Sequence, residues 1–127
     1  GSYNDPALET RLPYDLAAAR KLMAEAGYAD GFEVTLDCPN NRYINDEEIC
    51  QNLVGFWARI GVKTKLVAES MATFIQKVQN FDTSAYLLGW GVATFDAQYT
   101  LQSLIRTRTT GAGPRTHEAS ENAQLIR

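Results

Sequence analysis

The sequence predicts an α/β fold: three mainly parallel strands with flanking helices. Two observations predict it. Helical and strand periodicities alternate three times with short links between them, the pattern of parallel strands joined by right-handed crossovers. The last strand candidate, Tyr86 to Leu88, is a continuous apolar run, as suits a sheet covered on both faces. At 127 residues the chain is one domain or a piece of one, long enough to bury a core.

Asp15 opens the first helix as a cap, and the helix runs through Ala26. Leu16, Ala19, Met23 and Ala26 form its apolar stripe, and Gly27 stops it. The turn "YADGF" leads into "EVTLDC", which alternates enough for a strand from about Glu33 to Asp37. Asn45 followed by Glu48 reads as a capping box, with Ile44 stapled onto Ile49. The helix after it places Ile49, Leu53, Phe56 and Ile60 at helical spacing and ends at Gly61. "VKTKLVA" forms the second strand, with Val62, Thr64 and Leu66 on one face and two lysines on the other. Ser70 caps a third helix that turns Met71, Phe74 and Val78 inward, and "SAYLLGW" supplies the third strand.

In an open parallel sheet, ligands sit beyond the carboxyl ends of the strands. Three stretches therefore draw interest together: "CPNNRY", "ESMAT" and "GWGVATFD". A tryptophan between two glycines at a strand end can stand clear of the backbone and offer a flat apolar face. Trp90 as ordinary core is the competing reading, since tryptophan is heavily buried on average.

Composition narrows the function classes. Hydrophobic residues make up 45% and charged residues 21%, ordinary globular values, and the net charge of −3 argues against a broad nucleic-acid surface. No segment approaches the roughly 20 apolar residues needed to span a membrane. The start "GSYNDP" carries no signal peptide, and Gly1-Ser2 reads as a cloning scar. Catalytic patterns are poor. There is a single histidine, His117, and no Ser-His-Asp set, phosphate loop or metal-ligand cluster. Neither an enzymatic role nor a cofactor nor a metal is expected. Asp46, Glu47 and Glu48 are explained by the helix dipole.

Cys38 ends the first strand, and Cys50 lies in the first turns of the following helix, twelve residues later. A reducing cytosol leaves them as two buried thiols; an oxidising compartment closes them into a disulfide worth about 3 kcal/mol in the chain-entropy model.

The stretches "PYDLAAARKLMAEAGYADGFEVTL", "NNRYINDEEICQNL", "ARIGVKTKL" and "ATFIQKV…FDTSAYLLGWG" together resemble the dipeptide and oligopeptide class of extracytoplasmic solute-binding proteins, family 5, which serve ABC importers. The resemblance covers roughly Leu12 to Arg106. It implies an incomplete periplasmic-binding-protein-like lobe, part of a longer two-lobed clamp. Such a clamp closes in the periplasm on a peptide or related solute and delivers it to an inner-membrane ABC permease. On this reading residues 1–11 are a leader segment, 12–106 the lobe segment, and 107–127 a loop with a weakly helical or disordered tail. The resemblance further implies that Trp90 and Gly91 line the cleft. Ala93 stands where peptide binders carry an acidic anchor for the ligand amino group, and Asp96 matches a second acidic position that more often caps a helix. Arg42 is the nearest candidate for the ligand carboxylate, with Asn40 beside it in the same loop. The chain alone also admits a small α/β enzyme domain or a protein-interaction module.

Overall fold

A computed structural model describes residues 6–93 and 95–105; the loop and tail assigned to 107–127, the start at Gly1-Ser2, and His117 lie outside them. The elements run in order as α1 (Leu16–Glu25), β1 (Phe32–Pro39), α2 (Asp46–Ala58), β2 (Val62–Glu69), α3 (Met71–Gln79), β3 (Ala85–Tyr86) and α4 (Ala97–Thr100). A short 3-10 turn, Pro6–Glu9, precedes α1, and a π-helical turn, Leu101–Ile105, follows α4. The strands form one parallel sheet of order β2-β1-β3.

The chain divides into two compact units. The first comprises Leu12–Ile75 and Thr83–Leu88 and holds the whole sheet. Among the described residues, the second is built from 6–11, Gln76–Asp82, 89–93 and 95–105.

β1 is the central strand, and its last four residues, Leu36 to Pro39, are all buried. It pairs with β2 from Phe32↔Val62 to Pro39↔Glu69. Gly31 and Gly61 sit one residue before that first pair, both at positive φ (80° and 89°). Their backbones approach so closely that a Cβ on Gly31 would overlap the Gly61 carbonyl. Leu36, Cys38 and Cys50 form the core of this unit, with Leu53, Trp57, Leu66, Ala85 and Leu87 packed around them.

α1 follows the sequence closely. The Asp15 carboxylate accepts from the Ala17 and Ala18 N–H groups, and Gly27, at φ 86°, closes the helix. Leu16, Ala19 and Met23 are half-buried and Ala26 is exposed. Arg20 reaches across to the end of α2 and donates through two nitrogens to the Arg59 carbonyl at 3.0 and 2.8 Å. That carbonyl belongs to a helix C-terminus, where a cation is favoured.

Three expectations need correction. First, Asn45 is not a side-chain cap: its backbone is left-handed (φ 57°) and its side chain makes no capping bond. The staple is absent too, with Ile44 88% exposed. Second, the inward stripe of α2 is Cys50, Leu53 and Trp57; Ile49 and Phe56 are exposed. Pointing Cys50 at Cys38 sets the rotation of the helix. Third, β3 is two residues long, where the sequence reading extended it to Trp90. The Leu87 N–H still donates to the Asp37 carbonyl, but the next donor due on that side of β1 is Pro39, which has no N–H. The ladder ends there.

α3 starts as expected. Ser70 Oγ lies 3.5 Å from the Thr73 N–H, and Phe74 and Val78 are fully buried.

Candidate functional site

Beyond the carboxyl end of β1 the chain enters the loop Asn40 to Asn45. Its base is covalent: Cys38 and Cys50 form a disulfide with their Cα atoms 6.7 Å apart, and both residues are buried. Asn40 and Arg42 share this loop and are exposed. The Asn40 N–H donates to the Glu69 carbonyl at 3.0 Å, carrying the sheet pairing one residue past the strand. The Arg42 guanidinium lies over the Tyr43 ring, 5.4 Å from its centroid.

Two side chains that the sequence reading did not single out as site residues shape this loop. Asn41 Oδ1 accepts the Met71 N–H at 2.8 Å, so the loop after β1 caps the helix after β2. Asp46, only 4% exposed, accepts the N–H groups of Arg42 and Tyr43 on Oδ2 and that of Glu47 on Oδ1, each at 3.0 Å. The Tyr43 and Arg42 N–H groups, in that order, hold its pKa below the ordinary carboxylate value, against the opposing effect of burial. Asp46 therefore serves the turn before α2 as well as the acidic start of that helix. The clue in the sequence was weak: an aspartate three or four residues after a polar turn fits many loops.

The second unit carries the other candidates. Trp90 is 40% exposed, and its ring stacks on Tyr99 with centroids 5.4 Å apart and planes 25° apart. Gly91 lies in open space and does not need positive φ, so no contact of its own backbone demands a glycine there. Asp96 caps α4, accepting the Gln98 N–H at 2.8 Å. Ala93 is exposed. Tyr99 was not anticipated, because a four-residue helix shows no periodicity to read.

Among the described residues no three His, Cys, Asp or Glu side chains gather as a metal-ligand set, and no helix is long and apolar enough to cross a membrane. A groove of about 450 Å³ lies over the amino-terminal halves of β1 and β2, lined by Glu33 to Thr35, Lys63 to Lys65 and Ser84. It is at the wrong end of the strands for a ligand site in an open parallel sheet.

Residues 1–112 match the family model for bacterial extracellular solute-binding proteins, family 5. The chain belongs to that family. Di/tripeptide-binding protein 1 of Pseudomonas aeruginosa is 37% identical over 81 residues, covering 61% of this chain and 15% of that protein. Heme-binding protein A of Haemophilus influenzae is 30% identical over 116 residues, covering 87% of this chain and 20% of the other. Among solved structures, HbpA2 from Haemophilus parasuis superposes with a TM-score of 0.73 at 28% identity, over 80% of this chain and 20% of that one. The dipeptide binding protein from Pseudoalteromonas sp. SM9913, in complex with Met-Leu, gives 0.62 at 28% identity, over 68% of this chain and 18% of that one. The chain thus spans about a fifth or less of the length of these relatives, and its three parallel strands with flanking helices are part of a periplasmic-binding-protein lobe.

Proposed function

We propose that this chain is part of the substrate-binding component of an ABC importer, a non-enzymatic clamp that captures peptides or related small solutes outside the cytoplasm and passes them to a membrane permease. The observation that carries this reading is the family match over residues 1–112. The site geometry supports it: the polar loop with Asn40 and Arg42 leaves the carboxyl end of the central strand, where open parallel sheets bind ligands. Relatives named for di- and tripeptides favour a peptide-class cargo. In this reading Arg42 receives a cargo carboxylate, which its planar fork suits. Trp90, stacked on Tyr99, offers an apolar face, and Gly91 lets cargo approach the backbone.

The test uses the full-length protein, purified without refolding. Native mass spectrometry identifies what co-purifies, and calorimetry then compares wild type with Trp90→Ala for that compound. Affinity falls at least tenfold, about 1.4 kcal/mol. In the 127-residue chain the same change moves the melting transition by only a few degrees, because truncating a buried tryptophan costs about 3–5 kcal/mol and an exposed one far less. Unimpaired binding by the variant, together with a 127-residue variant that fails to fold, would return Trp90 to the core and sink its assigned role.

A further inference from the structure

The loop that presents Arg42 belongs to no helix or strand between Asn40 and Asn45, yet each residue from Asn40 to Tyr43 is tied down. The disulfide fixes its base, the Asn40 N–H is on Glu69, the Asn41 side chain is on Met71, and the Arg42 and Tyr43 N–H groups converge on one oxygen of Asp46. The last tie differs in kind from the others. The other ties each hold the loop at one point, whereas the Asp46 carboxylate, from the first residue of α2, binds the two peptide units that flank the Arg42 Cα. A peptide unit held on each side fixes φ and ψ of the residue between, and so the direction in which its side chain leaves the chain.

We infer that Asp46 is the positioning residue for Arg42 in cargo recognition: a buried carboxylate that touches no cargo and sets the exit of the guanidinium that does. This rests on the proposed role of Arg42 in binding a cargo carboxylate. The other Asp46 oxygen accepts the Glu47 N–H, so α2 is the rigid body against which the loop is held. Asn45, at left-handed φ directly before Asp46, reverses the chain and lets the carboxylate face back onto residues 42 and 43. Preorganisation of this kind raises affinity because the ordering cost is met on folding, before cargo arrives.

A double-mutant cycle in the full-length protein tests the inference, with tryptophan fluorescence titrations against an equimolar di- and tripeptide mixture as the probe. Arg42→Ala weakens binding by roughly tenfold and Asp46→Asn by roughly fivefold, and the double variant is no weaker than Arg42→Ala alone, the coupling expected of residues that act through one another. In Asp46→Asn the amides of Arg42 and Tyr43 also lose protection from hydrogen exchange, while those of β1 and β2 keep theirs. If Asp46→Asn does not fold, Asp46→Ser replaces it, retaining an acceptor for the Glu47 N–H while falling short of the loop. Losses that multiply in the double variant, or an Asp46 variant that binds like wild type while Arg42→Ala does not, overturn the inference and leave the site reading standing. An Arg42→Ala protein that binds like wild type, or a wild type blind to the peptide mixture, overturns the reading beneath it and the inference with it.

Discussion

Asp46 also gives the fold an acid-sensitive point. Its pKa is lowered in the folded state by backbone N–H donors, foremost that of Tyr43. A carboxyl whose folded pKa is depressed contributes stability above its unfolded pKa, about 4, and loses it as pH falls through the lower folded value. Wild type is therefore more stable than Asp46→Asn at neutral pH, and the difference closes below about pH 4 as the carboxylate is protonated. Denaturant titrations of both proteins at several pH values between neutrality and pH 2.5 check this; a gap that persists at the acid end would deny the carboxylate its role. Single residues were the hardest scale to read from sequence. Asp46 was legible as an acidic residue at a helix start, but its partners became visible only once the turn before it was folded.

Two covalent or near-contact constraints determine how the elements meet. The Cys38–Cys50 bridge closes a short loop across a sequence separation of 12. Its removal in Cys38→Ser/Cys50→Ser costs about 3 kcal/mol in the chain-entropy model, read as a lower denaturation midpoint. Denatured, non-reduced wild type shows no alkylatable thiol at these positions, and two labelled cysteines would refute the bridge. At the opposite end of the sheet, Gly31→Ala combines a positive φ with a collision against the Gly61 backbone, and a loss of more than about 2 kcal/mol follows. The same change at Gly27, where an added Cβ meets nothing within 4 Å, carries only the dihedral cost. A melting comparison of the two alanine variants separates collision from dihedral strain. The elements themselves were legible because period and caps agreed, as with Asp15 and Gly27 around α1. The rotation of α2 was not. Ile49, Cys50, Leu53, Phe56 and Trp57 are all apolar, so two stripes compete, and the bridge selects the one through Cys50. The length of β3 was obscured in the same way, because its apolar run continues after Pro39 has ended the ladder.

For the molecule as a whole, the order of helices and strands was enough to predict a parallel α/β arrangement, and the ordered set of motifs was enough to suggest the family. The site was less legible. Strand ends pointed to the loop with Asn40 and Arg42 and to the segment with Trp90, but Asn41 acts on Met71, thirty residues on, and Tyr99 on a ring nine residues back, while the local bonds of Asp46 fit too many turns to be singled out. The sheet order has one more consequence. β2 pairs with β1 on one side, and no other described strand lies along its outer edge. Eight residues of strand edge form a template for a second chain. Lys63 and Lys65, both exposed, place charge along that strand and discourage such pairing. Charge repulsion of this kind weakens with salt, since the screening length falls from about 10 Å at 0.1 M to about 3 Å at 1 M. Solutions of the 127-residue chain should therefore self-associate more readily as ionic strength rises, and Lys63→Thr/Lys65→Thr should do so at low salt already. Light scattering across a salt series would show whether these two lysines are what keeps neighbouring copies apart.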